Sequence, residues 1–93
     1  MTRDDVLKGM IAKNGEKYQL GMVVEELLEL AKEVQKRIRK GGNDVKICEE
    51  LADVHVVLRE LELMVPKTKT HVPMYERYKY DRLKVVYLEG GEQ

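Results

Sequence analysis

Two short acidic stretches have spacing that could do chemistry: "EELLEL", Glu25 to Leu30, and "EELADV", Glu49 to Val54. Glu26 and Glu29 are three apart, as are Glu50 and Asp53. On a helix that spacing puts both members of a pair on one face. Each pair lies beside an apolar position: Glu26 next to Leu27, Glu50 next to Leu51, Asp53 next to Val54. If the two apolar seams pack together, four carboxylates converge. Carboxylates that converge without a counter-charge repel, and some protonate. A hard divalent cation relieves this, and oxygen donors without His or Cys point to Mg²⁺ or Mn²⁺ rather than zinc. Mg²⁺ keeps waters and binds phosphates, so the chemistry suggested is metal-assisted attack on a phosphate group. The plainer reading is a solvated acidic edge. Twelve Glu and five Asp in 93 residues make such pairs common, and Glu29, Glu33 and Lys36 read as an ordinary exposed helix face.

The elements that must position these acids are helical. A short first helix is expected over about Arg3 to Ala12, broken at Asn14-Gly15. A second runs from about Glu16 into the late thirties, with Leu20, Val23, Leu27, Leu30 and Val34 as its stripe. A third opens at Asn43 or Asp44, carries Ile47, Leu51, Val54, Leu58 and Leu61, and ends before Pro66. Residues 66–73 read as a loop bracketed by prolines, 74–88 as a last helix, and 89–93 as a tail, although "KVVYL" also suits a strand. The expected architecture is all-α: a helical core over residues 2–65 containing an antiparallel hairpin, with flanking helices, completed as a four-helix bundle by dimerisation. Register raises a problem. With helices ending at Lys40 and starting at Asp44, the two acidic pairs sit at different depths, a mismatch of roughly 7 Å. Either the second helix stops early or the helices are staggered. The first option makes "RIRKGGND" largely loop, and that is the expectation here.

The bulk properties narrow the alternatives. The 93 residues fit one domain with a thin core, of the size that leans on oligomers or metals. Cys48 is the only cysteine, so disulfides are excluded; it reads as a small core residue in a reducing, cytoplasmic setting. Seventeen basic and seventeen acidic residues cancel, giving no argument for nucleic acid, and no apolar run approaches a membrane span.

With both boxes in view, the sequence resembles the MazG-like nucleotide pyrophosphohydrolases, whose signature reads E-E-x-x-E followed by E-x-x-D. The match covers Glu25, Glu26, Glu29, Glu50 and Asp53, with Gln19 upstream and a basic turn after the first box. The chain is similar to the compact, phage-type members rather than the long two-domain ones. The resemblance implies an all-α homodimer or tetramer that uses Mg²⁺ to hydrolyse a nucleoside triphosphate to a monophosphate and pyrophosphate. Carried onto this chain, Glu26, Glu29, Glu50 and Asp53 are the metal ligands, and Glu25 supports a second metal or orients the attacking water. Lys32, Lys36, Lys79 and Arg82 are candidates for phosphate contact; the alternative is an exposed helix face for Lys79 and Arg82 and a place beside Glu29 for Lys32. Trp and Phe are absent, which leaves Tyr18 or a C-terminal tyrosine to stack on a base.

Two other functions compete. A non-catalytic helical module dimerising through its seams needs no metal. A di-metal redox protein needs Glu-x-x-His pairs, and Asp53 stands where such a histidine would be. His55, two residues further, turns away from that face, and His71 falls in the expected loop.

Overall fold

The structure is a computed structural model that describes residues 1–90; of the expected tail, residues 91–93 lie outside the described part. Four helices follow in order: α1 (Arg3–Asn14), α2 (Glu16–Lys40), α3 (Asp44–Met64) and α4 (Lys67–Leu88). No strand occurs among the described residues, and "KVVYL" belongs to α4. The all-α expectation therefore holds, while dimerisation is not a property a single chain can display.

Local chemistry explains the boundaries. Thr2 caps α1 through a reciprocal box: its hydroxyl accepts from the Asp5 amide, and the Asp5 carboxylate accepts from the Thr2 amide. Gly15, at φ 91°, turns the chain into α2. The Asn43 side chain caps α3 by accepting from the Lys46 amide at 3.1 Å.

The loop expected over residues 66–73 is not there. Helix α4 begins at Lys67 and carries Pro73 inside it. Proline costs an interior helix one hydrogen bond. Here the preceding turn is held by side chains: the Thr68 hydroxyl donates to the Val65 carbonyl and the Thr70 hydroxyl to the Lys67 carbonyl. His71 is accordingly helical, exposed, with Nδ1 3.1 Å from the Lys67 carbonyl. Cys48 is exposed rather than a core residue.

The second expectation to fail is the early end of α2. That helix continues through Arg39 and Lys40 and closes on left-handed Gly41. The register mismatch is resolved by stagger instead. Gly41 and Gly42 both take positive φ, and Gly42 folds back onto α2 so closely that a Cβ there would lie 2.7 Å from the Arg37 Cα. Arg37 then pairs with Asp44, the first residue of α3. With α2 running to Lys40, the approach of Glu26 to Glu50 and Asp53 requires the two helices to be staggered.

The hairpin of α2 and α3 is the centre of the molecule; α1 packs on both, and α4 approaches only α3. Arg59 of α3 grips Asp4 of α1 through Nε at 3.0 Å and a second nitrogen at 2.6 Å. This bond holds the Asp4 carboxyl below the usual carboxylate range. The buried apolar residues are few: Leu7, Val23, Val54 and Val57.

Stagger makes a measurable demand on Gly42. Gly42→Ala should destabilise the fold by about 1–3 kcal/mol, from a positive φ and a backbone clash together. Gly41→Ala, strained by φ alone, should cost less. Urea denaturation of the two variants checks the order; equal losses would contradict the fold-back.

Candidate metal site and adjoining cleft

The inner face of the hairpin is only in part the apolar seam that periodicity suggests: Val23 and Val54 are buried, but acids share the face with them. Gln19, Glu33, Glu50 and Glu60 are buried, whereas Leu27, Val34, Leu51 and Leu58 remain 39 to 43% exposed. At about 100° per residue, Gln19, Glu26 and Glu33 fall on one line of α2, seven residues apart. Glu50, Asp53, Val57 and Glu60 form the matching line on α3. The hairpin has rolled toward its acids, and the stagger brings the two lines into register.

Carboxylate oxygens of Glu26, Glu50 and Asp53 lie within 4.8 Å of one another. Glu50 is buried, Glu26 half-buried and Asp53 exposed, so the group opens to solvent on one side. Opposite ligands of an octahedral Mg²⁺ are roughly 4.2 Å apart, twice the metal–oxygen distance. The all-oxygen donor set suits such an ion, which would draw oxygens spread over as much as 4.8 Å slightly closer. Burial, followed by the charges of Asp53, Glu50, Glu25 and Glu29, raises the Glu26 carboxyl above its ordinary range.

The other candidates fall at increasing distance from this group. Glu29 is exposed and outside the trio, though its charge reaches Glu26. Glu25 is exposed and lines a neighbouring groove with Lys17 and Tyr18. Lys36 binds buried Glu33 at 3.2 Å and, with Arg39, Lys40 and Lys46, lines a basic hollow at the hairpin turn. Lys46 reaches Glu50 at 3.5 Å, and the acids Glu49 and Glu50 hold its ammonium charged to higher pH. Lys32 is exposed one turn from Lys36. Lys79 and Arg82 are exposed on α4, which approaches α3 alone. His55 is exposed and turned from the trio, in an apolar hollow with Val6, Leu7 and Arg59.

Beside the trio, on the side covered by α1, is a cleft of about 320 Å³ lined by both Glu26 and Asp53. Its walls are Met10, Tyr18, Met22, Val56 and Val57, and its polar floor is Asn14, Gln19 and Glu60. The floor is a chain of hydrogen bonds. The Asn14 amide donates to Gln19 Oε1 at 2.9 Å, and Gln19 Nε2 donates to Glu60 Oε1 at 2.5 Å. Gln19 and Glu60 are 2% and 1% exposed. Sequence reasoning missed Glu60; the seven-residue step from Asp53 along the α3 polar line is the signal that marks it.

No family model, no curated protein and no solved structure matches the chain. The functional reading accordingly rests on the acidic boxes and on this geometry.

Crowding of like charges sets the sign of a stability effect. A raised carboxyl pKa means that ionising Glu26 disfavours the folded state. The penalty is absent at low pH and sets in as pH rises above the unfolded carboxylate value. Without divalent metal, Glu26→Gln should therefore raise the Tm at pH 7, and the gain should vanish as pH falls below about 4. A Tm lowered by this change at pH 7 would contradict the crowding.

Proposed function

We propose that this chain is a metal-dependent nucleoside triphosphate pyrophosphohydrolase that releases a nucleoside monophosphate and pyrophosphate. The single observation that carries the reading is the approach of Glu26, Glu50 and Asp53, from two helices, at the mouth of a cleft. These three would hold a Mg²⁺ or Mn²⁺ ion, with Glu29 a ligand that a small rotamer change adds. Such an ion, when bound, polarises a phosphoryl oxygen and acidifies a water. The chain's own residues do the rest. Exposed Glu25 is placed to orient a water, and Lys32 and Lys36 supply positive charge along the same helix. Lys79 and Arg82 reach a phosphate only from another copy, since α4 does not approach the trio within one chain.

The same roll that buries the acids uncovers the apolar stripe. Val24, Leu27, Val34 and Ile38 of α2 are exposed, as are Leu51 and Leu58 of α3. Because the helices are antiparallel, both stripes emerge on one side of the hairpin, opposite the acids and α1. An exposed apolar face of this kind marks an association surface. We assign it to a second copy, which makes a four-helix bundle with acids on its outer sides. A purely structural dimer would use the same face, so the assay below separates the two readings.

Purified protein with Mg²⁺ should release pyrophosphate from at least one member of a panel of ribo- and deoxynucleoside triphosphates. Glu50→Gln or Asp53→Asn should lower the rate by at least about a hundredfold, the scale of losing one transition-state charge stabiliser. No release across the panel would leave the structural dimer as the better account. Light scattering at micromolar concentration should give a dimer or larger, and Leu51→Asp with Leu58→Asp should give a monomer. A wild-type monomer would remove the association face.

A further inference from the structure

The cleft beside the acids has a chemistry of its own. Its walls are soft and flat: two methionine side chains, two valines, and the Tyr18 ring at the rim, 60% exposed. Thioethers and aromatic faces suit a planar heterocycle, which they hold by dispersion and stacking. Its volume, about 320 Å³, lies at the small end of ligand sites. At its floor, Glu60 is 99% removed from solvent, yet only Oε1 is engaged, by Gln19. Its other carboxylate oxygen takes no hydrogen bond from the described residues. No side-chain oxygen or nitrogen among the described residues is both fully closed off and unpartnered, so this oxygen keeps a sliver of access, and Glu60 lines the cleft; an acceptor so placed suits an N–H donor.

We propose that the cleft is a base-recognition site that selects nucleobases carrying an exocyclic amino group, with Glu60 accepting from that amino group and Tyr18 stacking on the ring. The inference rests on the nucleotide-hydrolase reading for the role of the neighbouring acids, but not for the recognition itself. The selectivity follows from sign. Cytosine and adenine present an amino donor where uracil and hypoxanthine present a carbonyl. A carbonyl oxygen against the Glu60 carboxylate sets two acceptors face to face. The hydrogen bond between Gln19 and Glu60 fixes the carboxylate so that it cannot rotate away. Gln19 is itself oriented by Asn14, so Gln19 and Asn14 are positioning residues and Glu60 is the specificity determinant. Tyr18, which meets any base by its face, contributes affinity without choosing.

Two measurements test this. First, cytidine and uridine are titrated separately into ¹⁵N-labelled full-length protein without divalent metal. Cytidine should shift the side-chain amide signals of Gln19 and Asn14, and uridine should shift them far less. Equal shifts, or none with either nucleoside at millimolar concentration, would overturn the proposal. Second, kcat/KM is compared for CTP against UTP and for ATP against ITP. The amino member of each pair should be favoured by about tenfold or more, the scale of one hydrogen bond to a charged group. Glu60→Gln should bring each ratio close to one, whereas Tyr18→Ala should lower both members alike and keep the ratio. Hydrolysis with equal rates in both pairs would overturn the base site and leave the hydrolase standing. Nucleoside shifts without any hydrolysis would overturn the hydrolase and leave the base site. Should Glu60→Gln fail to fold, the wild-type ratios and shifts decide alone.

Discussion

The structure depends on a crowding of carboxylates that water cannot fully relieve. The polar lines of α2 and α3 face each other inside the hairpin, and Glu50 and Glu60 are nearly closed off from solvent. Each buried acid needs a partner. Glu60 takes an amide from Gln19, Glu33 a lysine from Lys36, and Glu50 a more distant lysine, Lys46. Glu26 and Asp53 take none, and they stand against Glu50. A divalent cation is the partner that we propose for them.

The rest of the architecture follows from holding that face together. The turn must fold back onto α2, which requires glycine at position 42, where a side chain would strike Arg37. The α1 helix must close the far end of the acidic side, and it does so through Asp4 to Arg59 and Asn14 to Gln19. Because the inner face is polar, the apolar stripe is left on the opposite side. Val24, Leu27, Val34 and Ile38 of α2 accordingly stay exposed within one chain. The weak attachment of α4 to its own hairpin belongs to the same economy, since its tyrosines and leucines are likewise uncovered.

Much of this is legible in the sequence, and the failures are instructive. The helical periods, the Asn43 cap and the break at Gly15 mark three of the four elements, because caps and turns are local chemistry. The extension of α4 through Pro73 is not legible, because proline disfavours an interior helix position. The sequence does not separate stagger from an early helix end, because Gly41-Gly42 reads as loop whether it spans a gap or folds back. Periodicity also places the inner face of the hairpin only in part, for a related reason. Hydrophobic periodicity locates the largest apolar stripe, and a stripe that one chain leaves exposed need not point inward. Glu26, Glu50 and Asp53 were identifiable by spacing; Glu29 shares their spacing but not their meeting point, because the helix turns it to the outer edge. Glu60 has no motif, and only the packing of α1 over it makes it part of a site.

The central claim is that the three acids form a cation site rather than a solvated edge. Titrating Mn²⁺ while following its electron paramagnetic resonance signal counts bound ions directly, because bound Mn²⁺ loses the sharp signal of the free ion. The account predicts saturable loss of that signal, its return on adding excess Mg²⁺, and no loss with the Glu50→Gln, Asp53→Asn double variant. A free-ion signal that grows linearly from the first addition, in wild type as in the variant, would contradict it.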